Sequence, residues 1–127
     1  MKIRIKGNSI RLRLTQSEVT QFHTNGMHIE QTQVNYDTFF SYSLRMDKNR
    51  EDYEVSMEDN NLNVTVPYTI GQAWASGDEV GFQATIPNGD EDGLFILVEK
   101  DFTCLTARPE EDESDNYPNP LAKGIGK

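Results

Sequence analysis

The sequence predicts an α+β domain: a mainly antiparallel sheet or barrel of about eight strands with two short helices. Three observations carry that expectation. Apolar residues recur at period two in short runs bounded by Gly, Asn and Asp. Two other segments have helical spacing, and each is closed by a glycine. Finally, the order strand, strand, helix, strand, strand occurs twice, and Leu14 to Phe22 spans the same 8 positions as Val66 to Trp74. A ββαββ pseudo-repeat would let two half-sheets close around one core.

The first unit opens with strands over 2–6 and 9–14, in which Ile3 and Ile5, then Ile10, Leu12 and Leu14, alternate with polar residues. Gly7-Asn8 lies between them, and a glycine at the first central position suits a two-residue type II′ turn. Thr15-Gln16-Ser17-Glu18 has the form of a capping box, Val19 and Phe22 share a helical face, and Asn25-Gly26 ends the helix. Strands over 27–34 and 38–46 follow, the second rich in Phe39, Phe40, Tyr42 and Leu44.

The second unit repeats the pattern with strands over 53–58 and 62–66 around a turn at Asn60-Asn61, where asparagine tolerates positive φ. Pro67 suits a first helical turn, Ile70, Ala73 and Trp74 form an apolar face, and Ser76-Gly77 closes the helix. Strands over 79–86 and 94–99 flank the loop 87–93. The unbroken run Leu94-Phe95-Ile96-Leu97-Val98 predicts a central strand covered on both faces.

A chain of 127 residues suits one domain. The body is expected over 1–104, followed by an acidic, proline-containing tail over 105–127 that is partly disordered or packed on the body. The net charge of −9 and pI near 4.6 argue against a nucleic-acid surface, which needs clustered cations that release counterions. Cys104 is the single cysteine, so no intrachain disulfide forms, and a reducing, cytoplasmic setting is expected. Met1-Lys2-Ile3-Arg4-Ile5 alternates apolar with charged residues, unlike a signal peptide, and no run reaches membrane-spanning length.

A two-residue turn at Gly7-Asn8 sets Lys6 opposite Ser9, Arg4 opposite Arg11 and Lys2 opposite Arg13. One face of this hairpin then carries Lys2, Arg4, Lys6, Arg11 and Arg13, five of the 12 Lys and Arg residues. Like charges directly opposed cost a few tenths to about 1 kcal/mol per pair unless an anion screens them. Glu54 and Glu58 of the third hairpin, the run Glu110-Glu111-Asp112-Glu113-Ser114-Asp115, or an external anion would each supply the counter-charge.

No catalytic signature accompanies this cluster, and no cofactor is expected. Cys104 would be a nucleophile only if His23 or His28 lowered its pKa; a buried inert thiol is the commoner state. His23 and His28 are 5 apart across Asn25-Gly26, which spoils a helical metal pair. The acidic run lacks the pattern of a calcium loop, and Gly7, Gly71 and Gly77 form no phosphate-cradling loop. Trp74 reads as core.

Gly-Asn-Ser-Ile-Arg-Leu-Arg-Leu at 7–14, together with Val98 to Cys104 and Glu111 to Pro120, resembles a family of small bacterial proteins of unknown function, over nearly the full length. That resemblance implies a bacterial origin and supplies no activity. Strand richness, an N-terminal charged strand, and abundant Arg, Lys and Glu are also similar to the CYTH-type triphosphate tunnel enzymes. Their Glu-x-Glu-x-Lys start is replaced here by Lys2-Ile3-Arg4-Ile5-Lys6, which removes the metal carboxylates from where that family keeps them.

Two functions are therefore expected. The first is a non-enzymatic binding or accessory domain whose cationic hairpin recognises an anionic small molecule or protein partner. The second is a metal-dependent phosphate-ester hydrolase with Glu54, Glu58 or Asp112 on the metal.

Overall fold

The protein is described by a computed structural model covering residues 1–102 and 114–118. Its elements are β1 (Lys2–Lys6), β2 (Ser9–Leu14), α1 (Gln16–Asn25), β3 (Met27–Asn35) and β4 (Thr38–Asp47) in the first unit. In the second they are β5 (Glu54–Glu58), β6 (Asn61–Pro67), α2 (Tyr68–Ser76), β7 (Gly81–Ile86) and β8 (Leu94–Lys100). Among the described residues, eight strands and two helices stand as the sequence predicts, and so does the double ββαββ order.

The strands form two four-stranded sheets, β1-β2-β8-β7 and β3-β4-β6-β5. Each takes one hairpin from each unit, and exchanging the units converts one sheet order into the other. The four hairpin pairings are antiparallel, and the joins between units, β2 with β8 and β4 with β6, are parallel, so the sheets are mainly but not purely antiparallel. The reason lies in the exchange. Hairpins pair antiparallel within themselves, but the strands meeting at the centre come from different units and happen to run the same way.

Leu12, Leu14, Leu44, Val64, Val66, Ile96 and Val98 project from the central strands into one core with Val19 and Phe22 of α1 and Trp74 of α2. Phe22 and Trp74, equivalent in the two units, meet edge to face at 5.8 Å. Trp74 also packs on Phe82 at 5.4 Å, and its indole N–H donates to the Val80 carbonyl at 3.1 Å. The lone tryptophan is thus core with its polar atom satisfied.

Local signals are mostly where the residues place them. Gly7 has φ 54° and β1 pairs with β2 as the turn requires. The Thr15 amide donates to Glu18 Oε1 at 2.8 Å, and Gly26, at φ 78°, ends α1 by donating to the Phe22 carbonyl. Three details differ. The β5–β6 turn lies at Asp59-Asn60, both at positive φ, one position earlier than expected, so Asn61 begins β6. Pro67 ends β6 and caps α2 from outside, its ψ of 139° being extended. In β8, Ile96 and Val98 are fully buried but Phe95 and Leu97 are only half-buried, because neither α1 nor α2 covers the outer face of that sheet.

Residues 114–118 pack against the start of α1 and the end of β8. The Gln16 amide donates to the Asp115 carbonyl at 3.0 Å, Tyr117 donates to the Asp101 carbonyl at 2.8 Å, and Asn116 is buried. Cys104 and Glu110 to Glu113 lie outside the described residues. No described helix is long and apolar enough to cross a membrane.

Replacing Phe22 with alanine empties the point where the two units meet. The expected loss is about 3–5 kcal/mol of unfolding free energy, measured by urea denaturation.

Candidate functional site

The cationic hairpin forms one edge of the outer face of the β1-β2-β8-β7 sheet. Register carries its rows across the strands. Arg13 pairs with Lys2 and with Glu99, Arg11 with Arg4 and with Leu97, and Ser9 with Lys6 and with Phe95. All five predicted cations share that face, since residues in register point the same way. The parallel β8 then lays down beside them a strip of Phe95, Leu97 and Glu99.

Glu99 is the principal counter-charge. Its Oε1 accepts from Arg11 Nε at 2.7 Å and from Arg13 Nε at 2.7 Å, and Arg11 Nη2 approaches to 2.5 Å. One carboxylate thus holds two guanidinium groups. Gly81 is its register partner on β7, and a Cβ there would lie 2.4 Å from the Val98 carbonyl oxygen and 2.9 Å from Glu99 Cβ. The glycine gives Glu99 the room it occupies. Lys2 Nζ lies 3.2 Å from the buried Asp101 Oδ2.

Among the described residues, neutralisation is therefore concentrated at one end of the stripe. Arg4 and Lys6, both exposed, have no ion pair among the described residues. Beside them lies a cleft of about 260 Å³ lined by Arg4, Lys6, Ser9, Arg11, Phe95 and Leu97. A second, of about 220 Å³, lies against Lys2, Ile3, Arg4, Arg11 and Arg13.

Of the counter-charges expected from the sequence, Glu54, Glu58 and Asp115 are elsewhere, and Glu110 to Glu113 lie outside the described residues. Glu54 and Glu58 sit on β5, an edge of the other sheet, and Glu54 pairs with Arg50 at 3.4 Å. Asp115 receives the Ser17 amide at 3.2 Å and the Ser17 hydroxyl at the start of α1. Hydrogen bonds from Ser17 and Thr15 hold its carboxyl below the usual range. Glu99 and Asp101 were not foreseen, because only the parallel β2–β8 pairing brings them to the arginines.

A second cluster was also missed. Glu18, His28 and Glu30 bring one ligand atom each within 4.8 Å of one another. The alternate positions of His28 and Glu30 on one strand were the available signal. The cluster surrounds the buried Met1 ammonium, which contacts Glu18 and lies 2.5 Å from Glu30 Oε2, while His28 Nε2 sits 2.8 Å from the same oxygen. The point where a cation would sit is thus taken by the amino group. His23 stays exposed on α1.

A family model described as a family of unknown function, DUF7009, matches residues 1–121. The chain belongs to that family. No curated protein and no solved structure matches it significantly. Membership in DUF7009 carries no activity with it.

Two predictions arise here. Glu99→Gln leaves both arginines without their carboxylate and is expected to lower stability by about 1 kcal/mol in low salt, with less effect in high salt, measured by thermal and urea unfolding. Burial works to raise the Glu30 pKa, but hydrogen bonds from the Met1 ammonium and His28, with the ammonium's charge, outweigh it and lower it from 4.5 to about 2. The folded state thus binds this proton more weakly than the unfolded one. Stability from Glu30 is present above pH 4.5 and is lost as pH falls toward about 2. Glu30→Gln should flatten the acid limb of a melting-temperature profile over that window.

Proposed function

We propose that this protein is a non-enzymatic anion-binding module and that the outer face of the β1-β2-β8-β7 sheet is its binding surface. The observation that carries the reading is the pair Arg4 and Lys6, unpaired among the described residues at the mouth of a cleft whose third cation, Arg11, is already held in place by Glu99. Arg4 stands directly opposite Arg11, an arrangement that costs stability when empty and is relieved by a bound anion. Arg11 directs Nε and Nη2 to Glu99, and its other N–H groups, without a partner among the described residues, are available to a ligand.

The partner class is an anionic small molecule, bound without nucleic-acid chemistry, and the single cysteine suits action in the reducing cytoplasm. Among the described residues the hydrolase alternative has less to rest on, and Asp112, the third carboxylate it names, lies outside them. Glu54 and Glu58 belong to the other sheet, and the carboxylates on the cationic face, Glu99 and Asp101, are already engaged by Arg11, Arg13 and Lys2.

Exchange of Arg4 and Lys6 for glutamine separates a binding role from a structural one. Without ligand, the double variant is expected to be as stable as the parent or more so, by about 0.2–1 kcal/mol, because a like-charge opposition is gone. Its affinity for inorganic phosphate should fall at least about tenfold by titration calorimetry. Equal affinity in the two proteins would reject the reading.

A further inference from the structure

We propose that the ligand of the Arg4–Lys6 cleft is a phosphate monoester carrying a single ring or short apolar chain; this rests on the anion-binding reading above. Charge sets the first half of the assignment. Two cations at the cleft, Arg4 and Lys6, have no ion pair among the described residues, while Arg11 shares Glu99 with Arg13. A group bearing two negative charges balances the unpaired cations, and a phosphate monoester is close to dianionic at neutral pH. A carboxylate supplies one charge and leaves a cation uncompensated.

The apolar wall sets the second half. Phe95 and Leu97 stand in register with Ser9 and Arg11 and line the same cleft, half-buried and covered by neither α1 nor α2. Charge and apolar surface are thus side by side, with cations along β1 and β2 and the apolar strip along β8. A bound molecule places its phosphate toward Arg4 and Lys6 and its apolar part across Phe95 and Leu97. A cleft of about 260 Å³ is small for a ligand site and suits one ring. Glu99 fixes Arg11 between the two regions, so this guanidinium is ordered before the ligand arrives.

Titration calorimetry of the full chain with inorganic phosphate, phenyl phosphate and benzoate tests the assignment. Phenyl phosphate is expected to bind about tenfold more tightly than inorganic phosphate, and benzoate more weakly than phenyl phosphate. Phe95→Ser, and independently the strand-compatible Leu97→Thr, should shrink the ratio between phenyl phosphate and phosphate toward one. Arg4→Gln should weaken both phosphates. Equal binding of phosphate and phenyl phosphate overturns the apolar assignment and leaves the anion site standing. Benzoate binding as tightly as phenyl phosphate overturns the dianion assignment. Absence of binding by all three overturns both this inference and the function on which it rests.

Discussion

The parallel pairing of β2 with β8, and its counterpart between β4 and β6, is the constraint on which the rest of the molecule depends. Neither ββαββ unit has a four-stranded sheet of its own, so each hairpin finds its neighbour in the other unit. Central strands Ile10 to Leu14 and Ile96 to Val98 thereby become buried on their inner side, and Leu44 faces Val64 in the second sheet. The helices then close the core through residues at equivalent positions, Phe22 and Trp74. The same pairing that completes the core also assembles the outer face.

On that outer face the pairing juxtaposes residues about 86 positions apart: Arg13 and Glu99 are neighbours only because β8 lies beside β2 in this register. Oxygen Oε1 of Glu99 answers two arginines, which orders their guanidinium groups, while Arg4 and Lys6 at the adjacent end of the stripe have no ion pair among the described residues. Gly81 contributes by having no side chain, since a Cβ would meet the Val98 carbonyl and crowd Glu99. Core and surface are consequently coupled through one strand. Alternate residues of β8 serve the interior, as Ile96 and Val98, and the cleft, as Phe95 and Leu97.

Much of this was legible in local pattern. The Gly7-Asn8 turn fixes the β1–β2 register, so the five-cation face follows from residues 2–13 alone, and the capping box and Gly26 mark α1 at both ends. What was not legible is long-range. Period two says which face a residue takes but not which strand lies beside it, so Glu99 could not be assigned to Arg11 and Arg13, and Glu54 and Glu58 looked equally suitable. The run Leu94 to Val98 was misread for the same reason. Five apolar residues in a row suggest two covered faces, whereas here the outer pair, Phe95 and Leu97, adjoins a cleft. Likewise, the Met1 ammonium between Glu18 and Glu30 joins the chain start to α1 and β3, contacts that no spacing rule encodes.

A purely structural account of the cations is available in part and reaches its limit at β2. Strand β1 is an edge, and charges on an edge strand discourage pairing with another sheet; Lys2, Arg4 and Lys6 fit that role. Arg11 and Arg13 do not, because β2 is paired on both sides and has no edge to protect. Edge protection would also be served by carboxylates on β1 opposite those arginines, which would add stability where the present residues subtract it. Instead the two strands carry the same sign where they face each other, next to half-buried apolar side chains on β8. The proposed anion would relieve that repulsion and so account for β1 and β2 together, and Phe95 and Leu97 beside them are what gives the proposed ligand its apolar portion.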